Sequence, residues 1–135
     1  MPSIIDASGL VAWADRIDSA HDAVVKTLRS QRPPFHVPAM ALAEACHLIG
    51  SRRGRSAEVV FIRAISGLPV HAPTREDLRR MGELMQDYLD WPLGAADASI
   101  VALAERLDIE TVITLDRRHF VPMRPAHRPT FKVVP

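Results

Sequence analysis

Leu93–Phe120, LGAADASIVALAERLDIETVITLDRRHF, sets two aspartates, Asp97 and Asp116, on either side of one helix–strand unit. Ile100, Val101 and Ala104 follow Asp97 at i+3, i+4 and i+7 and share its helical face. A carboxylate at position 97 lies near the helix N-terminus, where unpaired N–H groups and the macrodipole favour negative charge. The helix fades near Leu107–Asp108. Thr111-Val-Ile-Thr-Leu115 then reads as a buried strand, dominated by β-branched residues and free of charge. Asp116 closes it at the C-terminal end, where open α/β sheets build their sites. Taken singly, Asp97 reads as a helix cap and Asp116 as a turn residue before Arg117-Arg118. Two further acids upstream, in similar settings, change that reading.

Working back to the start, Ser3-Ile-Ile5 reads as a first strand ending at Asp6, the same placement as Asp116. A helix is expected from about Gly9 to Ser30, with Leu10, Ala14, Ile17, His21, Val24 and Leu28 as its core stripe and Trp13 beside it. Asp15, Asp18 and Asp22 fall mostly off that stripe, and Lys26 stands four residues after Asp22 to pair with it. They read as a solvated face and not as a metal cluster. Gln31-Arg-Pro-Pro34 breaks the helix, Phe35-His-Val37 can form a short strand, and Pro38 suits the first turn of the next helix. That helix, Ala39 to about Gly50, carries Glu44 among Met40, Ala41 and Leu48. A glutamate on an apolar face is costly to bury without a partner, which makes Glu44 the most telling acid in the chain.

Ser51-Arg-Arg-Gly-Arg55 reads as a basic turn, Ala57–Ser66 as a helix and Val70-His-Ala72 as a short strand. Thr74 is an N-cap with Asp77 at the capping-box position, and Leu78, Met81, Leu84, Met85 and Leu89 make the following core stripe. After Asp116 a Pro-rich, Arg-rich loop leads to a last strand over Thr130–Val134. Strands alternating with helices throughout predict an α/β fold. One domain over residues 1–135 is expected, with a mainly parallel central sheet, right-handed crossovers and helices on both faces.

At 135 residues the chain is long enough for one real core. Its single cysteine, Cys46, excludes an internal disulfide and fits a reducing cytoplasm. No apolar run reaches the roughly 18 residues of a membrane span, and the first residues, MPSIID, lack the basic start of a signal peptide. Net charge is +1, yet no acid follows Asp116 while Arg117, Arg118, Arg124, Arg128 and Lys132 do. The planar guanidinium suits phosphate contacts.

Four acids thus stand out: Asp6, Glu44, Asp97 and Asp116. Two carboxylates about 4 Å apart repel by about 4 kcal/mol at an effective dielectric of 20. If the four converge, they need divalent cations, and oxygen-only ligands select Mg²⁺ or Mn²⁺ over zinc. Such a site suits phosphoryl-transfer chemistry. Rival chemistries lack their marks: Cys46-His47 has no second metal-spaced pair, and no Gly-rich loop precedes a Lys-Ser/Thr pair.

At these residues the chain resembles the PIN-domain ribonucleases, and most closely the VapC-type toxins of bacterial toxin–antitoxin pairs. The resemblance rests on IIDASGL at Asp6, ALAEACHLI at Glu44, LGAADASIVALAERL at Asp97 and VITLDRRHF at Asp116. It implies a doubly wound parallel sheet and an acidic quartet of Asp6, Glu44, Asp97 and Asp116 that binds one or two Mg²⁺ or Mn²⁺ ions. Ser8 and Thr114 match the small hydroxyl positions beside that quartet. The resemblance further implies a cytoplasmic endoribonuclease that leaves 5′-phosphate and 3′-hydroxyl ends, a small antitoxin that blocks the site, and a homodimer, for which exposed Trp91 is an interface candidate. Asp6, Asp97 and Asp116 are the expected metal ligands. Glu44 either ligates or orients the water, and Arg117, Arg118 and His119 are expected to contact RNA phosphates. The alternative is a module of the same fold that binds RNA or protein without cutting.

Overall fold

Ser3–Ile5 is buried at every position and forms the central strand β1 of the computed structural model, which describes residues 1–135. Ile4 faces one layer of helices and Ile5 the other, as the two-residue period of a strand requires. The chain continues through α1 (Ala7–Ala14), α2 (His21–Ser30), β2 (Phe35–Pro38), α3 (Ala39–Arg53) and α4 (Arg55–Ile65). It then forms β3 (Val70–His71), α5 (Arg75–Asp87), α6 (Ala95–Leu107), β4 (Thr111–Ile113), α7 (Arg117–Phe120) and β5 (Lys132–Val134). The five strands lie in the order β3-β2-β1-β4-β5 and all pair in parallel. Ser3, Ile4 and Ile5 stand opposite Thr111, Val112 and Ile113, so β1 and β4 are neighbours in register, as expected from the sequence.

Each face of the sheet buries its own core. Ile4 and Val112 pack under α5 and α6 with Leu84, Ile100, Val101 and Phe120. Ile5, Val37 and Ile113 pack under α1, α3 and α4 with Leu10, Ala45, Ile49 and Phe61. Burying each such large aliphatic side chain contributes about 1.5–3 kcal/mol. α6 is buried along Ala98–Ala104 without interruption, because sheet, α5 and the C-terminal segment enclose it. It ends at Asp108, whose φ of 57° is the left-handed turn that aspartate tolerates better than most residues. The capping box of α5 forms as expected, Thr74 Oγ1 accepting the Asp77 N–H and Asp77 accepting the Thr74 N–H, both at 3.0 Å.

Several sequence expectations change. The helix read from Gly9 to Ser30 is two helices, because Asp15 accepts the Ile17 N–H and Asp18 the Ala20 N–H, offering the backbone a turn in place of the helix ladder. Ile17 consequently leaves the core and is 71% exposed. Asp15 is not on a solvated face: it is buried and accepts from Arg53 Nε with both oxygens, each at 3.2 Å. The basic turn at Ser51–Arg55 narrows to Gly54 alone, whose φ of +87° redirects the chain between α3 and α4. Leu78 and Leu89 are exposed, so the core stripe of α5 is Met81 and Leu84, with Met85 partly buried beside them. The loop expected after Asp116 begins with one helical turn, Arg117–Phe120, and the last strand is Lys132–Val134. Trp91 is exposed, as the interface expectation requires.

Candidate active site

The strand order reverses between β1 and β4, and in an open parallel sheet the crevice at that point lies beyond the C-terminal strand ends. Asp6 follows β1 and Asp116 follows β4, so topology alone brings them to one rim. No loop separates β1 from α1. Asp6 is the helix N-cap, its Oδ1 accepting the Ala7 N–H at 2.7 Å. α1 lies close on the sheet at Gly9, where a Cβ would stand 3.0 Å from the Ile113 carbonyl oxygen and 3.1 Å from Ile5 Cγ2. That close approach lets Ser8 reach the residues after β4.

The hydroxyls join the two strands. Thr114 Oγ1 donates to Asp6 Oδ2 at 2.7 Å and accepts the Asp116 N–H at 3.0 Å. Ser8 Oγ accepts the Leu115 N–H at 2.9 Å and stands 3.1 Å from Thr114 Oγ1. Thr114 donates its one hydroxyl proton to Asp6, and the Ser8 proton is directed between Thr114 Oγ1 and Asp6 Oδ2, the latter at 3.4 Å. Both residues marked as supporting positions in the sequence thus touch the first acid or its partner.

Asp97 enters from the other side, on the first turn of α6. Its Oδ2 lies 3.0 Å from His119 Nδ1, which is shielded from solvent and makes no aligned hydrogen bond. Burial drives the Asp6 carboxyl up to about 6, against the opposing hydrogen bonds from Thr114 and Ala7, and the charges of Asp97 and Asp116 push it in the same direction. Burial also raises Asp97; nearby His119 lowers it, while Asp116 and Glu44 raise it. Asp6 therefore feels the charges of Asp97 and Asp116, and Asp97 those of Asp116 and Glu44.

Glu44 departs from its sequence reading. It is exposed on α3 and not buried on an apolar face, because α3 turns Ala41, Ala45 and Ile49 to the core and leaves position 44 at the open side. It reaches the site through its field on Asp97. The three residues after Asp116 also separate. Arg117 donates to the Val133 and Pro135 carbonyl oxygens at 3.1 and 2.9 Å, which ties it to the end of β5. His119 faces Asp97. Arg118 is exposed and has no protein partner. A loop reading of this segment hides the inward turn of His119; the large apolar Phe120, one residue on, is the sequence sign of an inner face.

The donor set fits a hard divalent cation. Every acid offers carboxylate oxygen, and the buried Asp6 carboxyl is held in a field that a cation would relieve. No three His, Cys, Asp or Glu side chains stand together as a ready-made cage.

Asp6 and Asp116 thus share the rim at the switch point of an all-parallel five-stranded sheet, with Asp97 on the first turn of α6. The PIN domain family model matches residues 3–122, and the chain belongs to that family. Within it, the chain is 33% identical over 134 residues to Ribonuclease VapC26 of Mycobacterium tuberculosis, spanning 98% of this chain and 99% of that protein. The fold is similar to that of the sarcin–ricin-loop-cleaving toxin VapC20 of Mycobacterium tuberculosis, with TM-score 0.79, 19% identity and coverage of 87% and 92% of the two chains. It is also similar to a chain of the Rickettsia felis VapBC2 complex bound to promoter DNA, with TM-score 0.73, 14% identity and full coverage of both chains. A toxin–antitoxin complex from Klebsiella pneumoniae gives TM-score 0.72 at 18% identity, covering 96% and 99%. No helix is long and apolar enough to cross a membrane.

Proposed function

We propose that this chain is a divalent-metal-dependent endoribonuclease toxin of a toxin–antitoxin pair, acting on RNA in the cytoplasm and silenced by a small antitoxin protein. The observation that carries the reading is the bridge from Asp6 through Thr114 to the backbone of Asp116, with Asp97 facing it from α6. The kinship with a ribonuclease at 33% identity over nearly the whole chain supports the RNA-cleaving part. Complexes with antitoxins among the proteins of similar fold support the partner, and a homodimer is part of the same reading.

Asp6, Asp97 and Asp116 would hold Mg²⁺ or Mn²⁺. When bound, the cation acidifies a water and offsets charge on the phosphodiester. Ser8 and Thr114 fix the Asp6 carboxylate and the backbone at Asp116, so the Asp6 carboxylate does not have to find its orientation during the reaction. Glu44, exposed and within the field of Asp97, either adds a ligand or orients the attacking water. The leaving oxygen departs as a 3′-hydroxyl and the phosphate stays on the 5′ end.

The test is RNA cleavage by the full chain with Mg²⁺ or Mn²⁺, with excess chelator, and by Asp97→Asn. We expect cleavage only with metal and a large loss in the variant, with the fold retained. Binding of RNA without metal-dependent cleavage would favour the non-cutting module, and cleavage that persists in chelator would remove the acidic metal site.

A further inference from the structure

Resting on that metal-site reading, we propose that His119 is a positioning residue for Asp97 and not a phosphate contact. Its Nδ1 is closed to solvent, has no aligned hydrogen bond in the protein, and stands 3.0 Å from Asp97 Oδ2. A buried ring nitrogen in that state needs a partner, and the Asp97 carboxylate is the group within reach. A small rotation of either side chain completes the bond. Nδ1–H donates in the cation and in the matching neutral tautomer alike, so the contact does not depend on the charge of the ring.

The backbone that carries the ring is held in place. The His119 N–H donates to the Asp116 carbonyl oxygen at 3.0 Å, and the next residue, Phe120, is fully buried with its ring edge-on to Phe131 at 6.4 Å between centroids. The single turn α7 therefore carries Asp116 at its start and, through His119, grips Asp97 on α6. One rigid turn sets the spacing of two acids from different elements. A carboxylate with one oxygen held this way presents the other to the crevice, and removal of such an outer partner typically weakens metal binding about 10- to 100-fold.

The test measures Mn²⁺ binding by electron paramagnetic resonance on the full chain without RNA, for the wild type, His119→Ala, His119→Asn and His119→Gln. The Asn amide nitrogen falls near the place of Nδ1, whereas that of Gln falls near Nε2. We expect His119→Ala to weaken Mn²⁺ binding about 10-fold or more, His119→Asn to recover most of the loss, and His119→Gln to recover little. In RNA cleavage the Ala variant should need more Mn²⁺ while KM for RNA is unchanged. Thermal midpoints confirm that each variant is folded, and Asn against Gln decides the matter if Ala is not. Unchanged or tighter Mn²⁺ binding in Ala with a raised KM for RNA makes His119 a phosphate contact and overturns the proposal, as does an equal loss in Asn, Gln and Ala. A wild type that binds Mn²⁺ and cleaves RNA while Ala matches it sinks this inference alone. A wild type that binds no Mn²⁺ sinks the metal site and this inference together.

Discussion

Thr114 Oγ1 donates to Asp6 Oδ2 at 2.7 Å, across the seam between β4 and β1, and the same oxygen accepts the Asp116 N–H at 3.0 Å. One buried hydroxyl therefore couples two acids that lie 110 positions apart in sequence. Thr114→Val keeps the shape and removes both bonds together with the Ser8 contact. It should cost about 1–3 kcal/mol of stability and lower RNA cleavage, while Thr114→Ser should keep most of both. Chemical denaturation and single-turnover cleavage of the pair measure this; a Val variant as stable and active as the wild type would mean that the bridge is idle.

Asp6 makes metal-free stability depend on pH. Its folded carboxyl titrates near 6, above its ordinary 3.8, so the folded state binds the proton more tightly than the unfolded chain does. The group's contribution is therefore most favourable below about pH 4, and stability is lost as pH rises from there to about 6. Above that range the penalty levels off at no more than about 3 kcal/mol. Asp6→Asn removes the titration while Asn can still accept the Ala7 N–H. Metal-free Asp6→Asn should be about 1–3 kcal/mol more stable than the wild type at pH 7.5, with the gap closing toward pH 4. A gap that does not change with pH would assign the effect to packing.

Metal should relieve the same penalty. Mg²⁺ or Mn²⁺ at about 100 times its dissociation constant should stabilise the fold by about 2.7 kcal/mol; at one fixed metal concentration the gain should be larger at pH 7.5 than at pH 5, and chelator should reverse it. Asp97→Asn should remove most of this gain. Differential scanning calorimetry with and without metal reads it directly, and a thermal midpoint indifferent to both ions at millimolar concentration would count against the site.

Arg117 and Arg118, adjacent in sequence, should behave differently. Arg118 is free at the rim and Arg117 holds the end of β5. Arg118→Ala should weaken RNA binding and reduce the slope of log K against log salt by about 0.7 for each phosphate that is no longer neutralised. Arg117→Ala should act mainly on stability, with little change in that slope. Binding isotherms at several salt concentrations and thermal melts separate the two, and equal slopes in both variants would return Arg118 to the solvated surface.

The sequence by itself determined the alternation of strands and helices, because period-2 and period-3.6 apolar patterns record burial directly. Ser3–Ile5 and Thr111–Leu115 read as strands because β-branched, uncharged runs pack on a pleated sheet, and the second ends at Ile113 in the fold. The parallel sheet follows from their alternation with helices. The positions of Asp6 and Asp116 were legible for the same reason, since strand ends mark the rim where a parallel sheet places its chemistry. What a single chain cannot record is which polar group answers which. The break at Asp15, the exposure of Glu44 and the split between Arg117 and Arg118 all depend on partners far away in sequence. Likewise, Ser8, Thr114 and His119 acquire their roles only when α1, β4 and α6 meet at the switch point. Apolar patterning is local and repeats along the chain. Hydrogen bonds and ion pairs form between single atoms at about 3 Å, and only the tertiary structure brings those atoms to that distance.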